Sequence, residues 1–300
     1  MNLIASDKEY LYSEIFFSPQ GEGFYTGVPT VWVRFFNCNL QCNGFGQTDP
    51  TKPETYELPY KTFDLTGIDK VEDLPVFDKG CDSSYSWSKR YKHLAKKSTA
   101  SQIVDQIIDS MRSESNPDGL FVHPKSKQHA HLAFTGGEPM LNQEAMIEIV
   151  RELKRRNMEL LYITVETNGT KPMTRSFKDM MLDCILQVFM SVSPKLFTVS
   201  GEHNDRAFKP DVIREYAEWT YGQLKFVMSP SDDAWDELSM MIDELEPYDS
   251  LGYPVWIMPV GATDAGQLET AADVAVRAIK AGYNVSARAH VAIFGNCIGT

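Results

Sequence analysis

From about residue 98 onward two kinds of segment alternate, and that alternation narrows the possible folds more than any other feature of the chain. Thr99 and Gln102 stand at capping-box spacing ahead of Ile103, Ile107, Ile108 and Met111, which recur at helical intervals, so a helix is expected to begin there. Residues 131–135 follow as a short apolar run ending in glycines and read as a strand. Asn142 then stands where it can cap a helix carrying Met146, Ile149, Val150 and Leu153 on one face. Further strands are expected near 160–165, 185–192, 224–228, 255–259 and 283–290, with helices between them, most clearly at 234–245 and 268–281. Upstream, residues 30–36 are rich in β-branched and aromatic side chains and are expected to form the first core strand. Such alternation favours an α/β fold with a mainly parallel sheet, open or curled towards a barrel. In that class the active site gathers at the C-terminal ends of the strands.

The chain has 300 residues, enough for one large α/β domain or two ordinary ones. No run of eighteen apolar residues occurs, and Met1 to Asp7 lacks the basic-then-apolar pattern of a signal peptide, so a cytoplasmic protein without a membrane span is expected. The formal charge of −12 argues against a surface built to neutralise phosphates, so no direct nucleic-acid partner is expected and a small molecule is. Residues 43–80 break the rhythm: Pro50, Pro53, Pro59 and Pro75 fall among Asp, Thr and scattered apolar positions, and the segment reads as an insertion with little regular structure.

Cys38 and Cys42 follow directly from the first expected core strand, where an active-site loop belongs. Alone, that pair is either a metal site or two buried thiols. Cys184 and Cys297 have no motif around them and read as ordinary buried thiols. His129 and His131 alternate on one strand face without a third ligand and read as solvated.

Cys38 and Cys42 resemble the start of the cluster motif of the radical S-adenosyl-L-methionine (SAM) superfamily: Cys, three residues, Cys, two residues, Cys. Phe45 stands at the third position. Within that superfamily the 7-carboxy-7-deazaguanine synthases follow the third cysteine with Asp, Thr, two variable residues, a small hydroxyl residue and Trp. Cys81-Asp82-Ser83-Ser84-Tyr85-Ser86-Trp87 is similar at each place except that Ser replaces Thr. The third ligand is therefore expected to be Cys81, displaced by an insertion at about 43–80. Lengthening the connection from two residues to thirty-eight costs roughly 2–3 kcal/mol of loop closure. Metal–thiolate ligation in small zinc domains is worth on the order of 10 kcal/mol, so ligation wins.

Other stretches extend the resemblance. Ser18-Pro19-Gln20-Gly21-Glu22-Gly23 is similar to the family's N-terminal stretch that contacts the pterin, and Arg34 falls where the family has an arginine that pairs with the substrate. Its planar guanidinium suits a bidentate carboxylate. Phe134-Thr135-Gly136-Gly137-Glu138-Pro139 resembles the Gly-Gly-Glu-Pro motif that binds the amino end of SAM. In that reading the glycines let the backbone approach the ligand and the Glu138 carboxylate accepts hydrogen bonds from the ammonium. Glu166-Thr167-Asn168-Gly169 and Ser193-Pro194-Lys195 resemble the next two strand ends of the cofactor pocket, and Lys225 fits the family's strand pattern. His290 corresponds to a family histidine that can line the substrate pocket, with a satisfied polar residue at a strand end as the alternative.

The resemblance implies an incomplete parallel (β/α)6-type barrel spanning 1–300 as a single domain, usually assembled as a homodimer. The implied activity is that of a carbon–nitrogen lyase converting 6-carboxy-5,6,7,8-tetrahydropterin to 7-carboxy-7-deazaguanine with loss of ammonia, in a queuosine-type pathway. Implied cofactors are a 4Fe–4S cluster on Cys38, Cys42 and Cys81, S-adenosyl-L-methionine, and Mg2+ held through Ser83, with an electron donor such as flavodoxin. An alternative with the same cofactor motifs is a radical SAM activase that makes a glycyl radical on a partner enzyme. A third is a non-catalytic homologue in which Phe45 marks a lost ligand.

Overall fold

The computed structural model describes residues 7–184, 186–245, 251–295 and 297–300. Among these, nine strands form one sheet in the order β3-β1-β2-β4-β5-β6-β7-β8-β9. They are β1 (Glu9–Pro19), β2 (Pro29–Phe35), β3 (Lys96–Thr99), β4 (His131–Gly136), β5 (Tyr162–Thr167), β6 (Gln187–Val192), β7 (Tyr221–Met228), β8 (Val255–Pro259) and β9 (Asn284–Val285). From β2 to β9 every pairing is parallel. The expected α/β class with a mainly parallel sheet is observed. Ile185 and Met1 to Ser6, included in two of the expectations, lie outside the described residues.

Two strands were not anticipated. β1 runs antiparallel to both β2 and β3, and it reaches β2 through a short turn in which Gly27 N–H donates to Gln20 O at 2.7 Å. That turn carries Gln20, Gly21 and Glu22 to the rim where the parallel strands end.

Among the described residues the longer helices are α1 (Ala100–Met111), α2 (Gln143–Arg155), α3 (Arg175–Cys184), α4 (Pro210–Trp219), α5 (Asp232–Glu244) and α6 (Asp264–Lys280), followed by the short α7 (Ala289–Phe294). The capping box expected for α1 is present: the Thr99 hydroxyl accepts from Gln102 N and the Gln102 side chain accepts from Thr99 N. Asn142 stands at the N-cap of α2 but its side chain makes no cap hydrogen bond. Its amide instead donates to Glu138 O.

The strand expected over 283–290 is cut to two residues. After Ser286 N–H completes the ladder on Ile257 O, Ala289 N–H donates to Gly21 O at 2.8 Å, and this turns the chain into α7. His290 consequently sits on a helix rather than at a strand end. His131 is buried, not solvated, stacked on Tyr162 at 4.8 Å and edge-on to Tyr25 at 4.6 Å. Burial, with His129 beside it, pushes its imidazole down to about 4, so it is neutral near pH 7. Cys184 is half-buried and Cys297 is exposed, against the expectation that both are buried.

Residues 43–80 contain only short helical turns, at Pro53–Thr55, Pro59–Thr62 and Val71–Asp73. Their apolar side chains are not scattered in space. Tyr60, Val71, Leu74 and Phe77 pack with Tyr85, Tyr91 and Leu94 into a cluster separate from the main core. Tyr91 Oη donates to Tyr60 O across that cluster at 2.5 Å. Among the described residues no helix is long and apolar enough to cross a membrane.

Candidate active site

The loop leaving β2 carries Cys38 and Cys42 in an unusual backbone. Asn37 and Cys42 adopt positive φ of 105° and 51°, a region that non-glycine residues visit only when their surroundings hold them there. The restraints are visible. Asn37 N–H donates to Ser86 O and Asn37 O accepts from Glu138 N, both at 2.8 Å. Cys81 reaches the same place because the base of the insertion is pinned: Gly80 N–H donates to Phe45 O at 2.8 Å. Phe45, the residue at the vacant motif position, thus holds the displaced cysteine in place with its carbonyl. Cys38, Cys42 and Cys81 share one small apolar cluster with Leu40, Phe45 and Ala207 and line one cavity.

Burial pushes the Cys38 thiol up to about 12, Cys81 up to about 11 and Cys42 well above the usual thiol range. Left alone, these groups stay protonated; a soft metal centre supplies the positive charge that removes the protons. No group of three or more His, Cys, Asp or Glu among the described residues converges tightly enough for a single metal ion. Three soft thiol donors lining the same cavity suit a 4Fe–4S group, which is held by thiolates.

The remaining walls are charged and mutually paired. Lys225, 5% exposed on β7, donates to Glu22 and, at 3.0 Å, to Glu166. Gln20 Nε2 donates to the other Glu166 oxygen at 3.0 Å. Arg288 spans Glu22 at 3.0 Å and Asp82 at 2.9 Å. Burial alone would raise the Glu22 carboxyl, but Lys225, Arg288 and His290 outweigh it and hold the carboxyl below the usual range. Asp82 is lowered likewise, with Arg288 the main opposing charge to burial. His290 packs against Gly21, where any Cβ would overlap the imidazole, and burial lowers its pKa.

Arg34, on β2, donates its Nε to Glu14 at 2.6 Å and Nη1 to the Ser83 hydroxyl at 3.3 Å. Tyr85 Oη donates to the same Glu14 oxygen at 2.8 Å. Glu14 therefore fixes the rotation of the guanidinium about its chain. β2 and β4 pair Arg34 with Thr135, so both reach the same rim.

Most of the residues picked out in the sequence meet here. Pro19, Gln20, Gly21, Glu22, Arg34, Thr135 and His290 line the cavity, and so do Gly136, Gly137, Glu166, Ser193 and Lys195. Cys38, Cys42, Cys81 and Ser83 line it as well. Glu138 and Pro194 do not line it. Glu138 is fully buried, and its carboxylate accepts from Met140 N at 2.9 Å, Thr167 Oγ1 at 2.7 Å and Asn168 N at 2.7 Å. It fastens the end of β4 to the end of β5 and does not face an ammonium in the cavity. The neighbouring glycines also have an internal reason: a Cβ on Gly136 would strike Phe35 O and one on Gly137 would strike Asn37 O, each at 2.2 Å. They let the end of β4 lie against the cysteine loop.

Ser83 does not fit the expected role as an Mg2+ ligand. Its hydroxyl donates to Asp82 Oδ1 at 3.1 Å while its acceptor side faces Arg34, and Arg288 holds the second Asp82 oxygen. A hard dication needs several oxygens and water in an octahedron, and two guanidinium groups already flank this position.

Glu14, Asp82, Arg288 and Glu202 were given no role from the sequence. A Glu in the middle of the apolar run of β1 was a usable sign for Glu14, and Arg288 lies two residues before His290. Glu202 follows no motif.

A profile of the family described as 4Fe-4S single cluster domain matches residues 20–196. A 7-carboxy-7-deazaguanine synthase of Halobacterium salinarum is 28% identical over 95% of this chain and 90% of its own length. One of Pyrobaculum aerophilum is 26% identical over 95% of each chain. The crystal structure of QueE from Escherichia coli shares the fold, with a TM-score of 0.53 over 94% of this chain and 95% of that one at 17% identity. With three cysteines lining a charged cavity at the strand ends, the chain belongs to the 4Fe–4S single cluster domain family, and over nearly its whole length it is similar to 7-carboxy-7-deazaguanine synthases.

Proposed function

We propose that this chain is a radical SAM carbon–nitrogen lyase that converts 6-carboxy-5,6,7,8-tetrahydropterin to 7-carboxy-7-deazaguanine with loss of ammonia. The observation that carries the reading is that Cys38, Cys42 and Cys81 line one cavity together with Glu22, Arg34, Glu166 and Lys225. When bound, a 4Fe–4S cluster with one iron free for SAM supplies the electron that cleaves the sulfonium to a 5′-deoxyadenosyl radical.

The chain's own residues bind and orient in this reading. Arg34, with Nε anchored on Glu14, offers its terminal nitrogens to the pterin carboxylate. Glu22 and Glu166, both paired with Lys225, accept N–H groups of the ring, and neutral His290 closes the wall beside Gly21. Gly136, Gly137, Ser193 and Lys195 border the SAM side; Lys195 Nζ donates to Ser193 Oγ at 2.9 Å. Glu138 and Pro194 support that wall from behind. Mg2+ has no step in the reading, because the Ser83 hydroxyl is already engaged with Asp82 and Arg34. The reading also takes the chain as a single cytoplasmic domain with an insertion at 43–80, working as a homodimer with an electron donor such as flavodoxin.

Anaerobic reconstitution followed by mass spectrometry with the carboxy-pterin and SAM tests it. The expected result is 5′-deoxyadenosine together with 7-carboxy-7-deazaguanine. A sample with a full cluster that cleaves SAM but yields no deazaguanine overturns the substrate assignment. Cys81→Ala is expected to lose the cluster, measured as iron and sulfide per chain.

A further inference from the structure

Behind the cysteine loop, outside the cavity lining, stands Glu202, a carboxylate only 7% exposed. One of its oxygens, Oε1, accepts from Gln41 N at 2.6 Å and from Cys42 N at 2.8 Å. The segment that presents it is itself tied to the loop, since Gly44 N–H donates to Ser200 O at 2.8 Å. Ser200 Oγ in turn accepts from Glu202 N at 3.2 Å and donates to Leu196 O at 2.7 Å. Cys42 is the cysteine with the left-handed backbone, so its geometry depends on what holds its amide.

The position has two physical consequences for a cluster on this loop. Amides next to a ligating cysteine are natural N–H donors to sulfur, and such bonds favour the reduced cluster. Here the amides of Gln41 and Cys42 are turned to a carboxylate instead. That carboxylate also places a buried negative charge one hydrogen bond from a ligand, which disfavours addition of an electron.

We infer that Glu202 is a positioning residue that fixes Cys42 for ligation and lowers the potential of the cluster, making it a stronger one-electron reductant. The inference rests on the proposed reading that Cys38, Cys42 and Cys81 hold a 4Fe–4S cluster. It adds a residue outside the cavity that acts on the group through a ligand's backbone.

The test compares Glu202→Gln and Glu202→Ala with the native chain after anaerobic reconstitution, reading iron and sulfide content and the midpoint potential by redox titration followed by electron paramagnetic resonance. Gln keeps an oxygen for the two amides and removes the charge. Its cluster content is expected to match the native protein, while the equilibrium for reduction rises roughly tenfold, about 59 mV for one electron. Ala removes both functions and is expected to hold less than half of the native iron. Glu237→Gln is the control, since Glu237 is also a buried carboxylate that accepts backbone amides, those of Phe197 and Thr198, but does not bond the cysteine loop. A native-like potential in a fully loaded Glu202→Gln sample overturns the inference, as does an equal shift in the control. Native protein that takes up no cluster overturns the proposed reading and this inference together, and that result is distinct from an unshifted potential.

Discussion

Lys225 shows how one residue can organise a site whose parts come from distant sequence. Its ammonium is the shared partner of Glu22, on the β1–β2 turn, and Glu166, at the end of β5. Removing one member of a buried charge group strands the others at about 3–5 kcal/mol. Lys225→Met is therefore expected to destabilise by about that amount at pH 7 in urea unfolding. The sign of the pH dependence follows from Glu22, whose folded pKa is depressed. Its ion pair stabilises above the unfolded value of 4.5 and is lost as pH falls through the lower folded value, so the native–variant gap should narrow in acid. Glu138→Gln is a second case. It puts an amide where Asn168 N–H or Thr167 Oγ1 now finds an acceptor, and should cost about 1–3 kcal/mol. Motif residues were legible because their chemistry is rare, but the partners of those residues were not. The motif suggested that the Glu138 carboxylate receives a ligand, whereas its oxygens meet the Met140 and Asn168 amides and the Thr167 hydroxyl.

Helices and parallel strands were legible where periodicity and local hydrogen bonding agree. The capping box at Thr99 and Gln102 is such a place, and Thr99→Ala should lower stability by about 1 kcal/mol in thermal or urea unfolding, without altering the cavity. Asn142 shows the limit of the same rule, since a cap residue chooses among nearby partners and Glu138 O takes its amide. β1 escaped notice for a related reason. An antiparallel strand carrying Glu14 inward looks less apolar than a central parallel strand, and only its register with β2 shows that the carboxylate meets Arg34. β9 stops early because of a bond to Gly21, which lies far away in sequence.

Across the whole molecule, residues 43–80 join two roles. Their apolar side chains build a second small core, and the bond from Gly80 N to Phe45 O closes its base so that Cys81 returns to the cysteine loop. Phe77→Ala should loosen that core selectively. Hydrogen exchange is expected to speed up within 59–94 while α1 and the strands from β4 to β7 keep their protection, and cluster loading should fall with it. Uniform acceleration over the whole sheet would mean that the two cores open as one unit. The order of strands and helices, the class of the sheet, the rim on which the site lies and the three cysteines as a set were determined by sequence alone, because each depends on local pattern or on rare residues at fixed spacing. The pairing of Arg34 with Glu14, the Asp82–Arg288–Glu22–Lys225 chain, the inward turn of Glu138 and the hold of Glu202 on Cys42 were decided only in three dimensions. They depend on which backbone and side-chain groups meet across dozens to hundreds of residues, and the need of buried polar groups for partners says only that such meetings must occur.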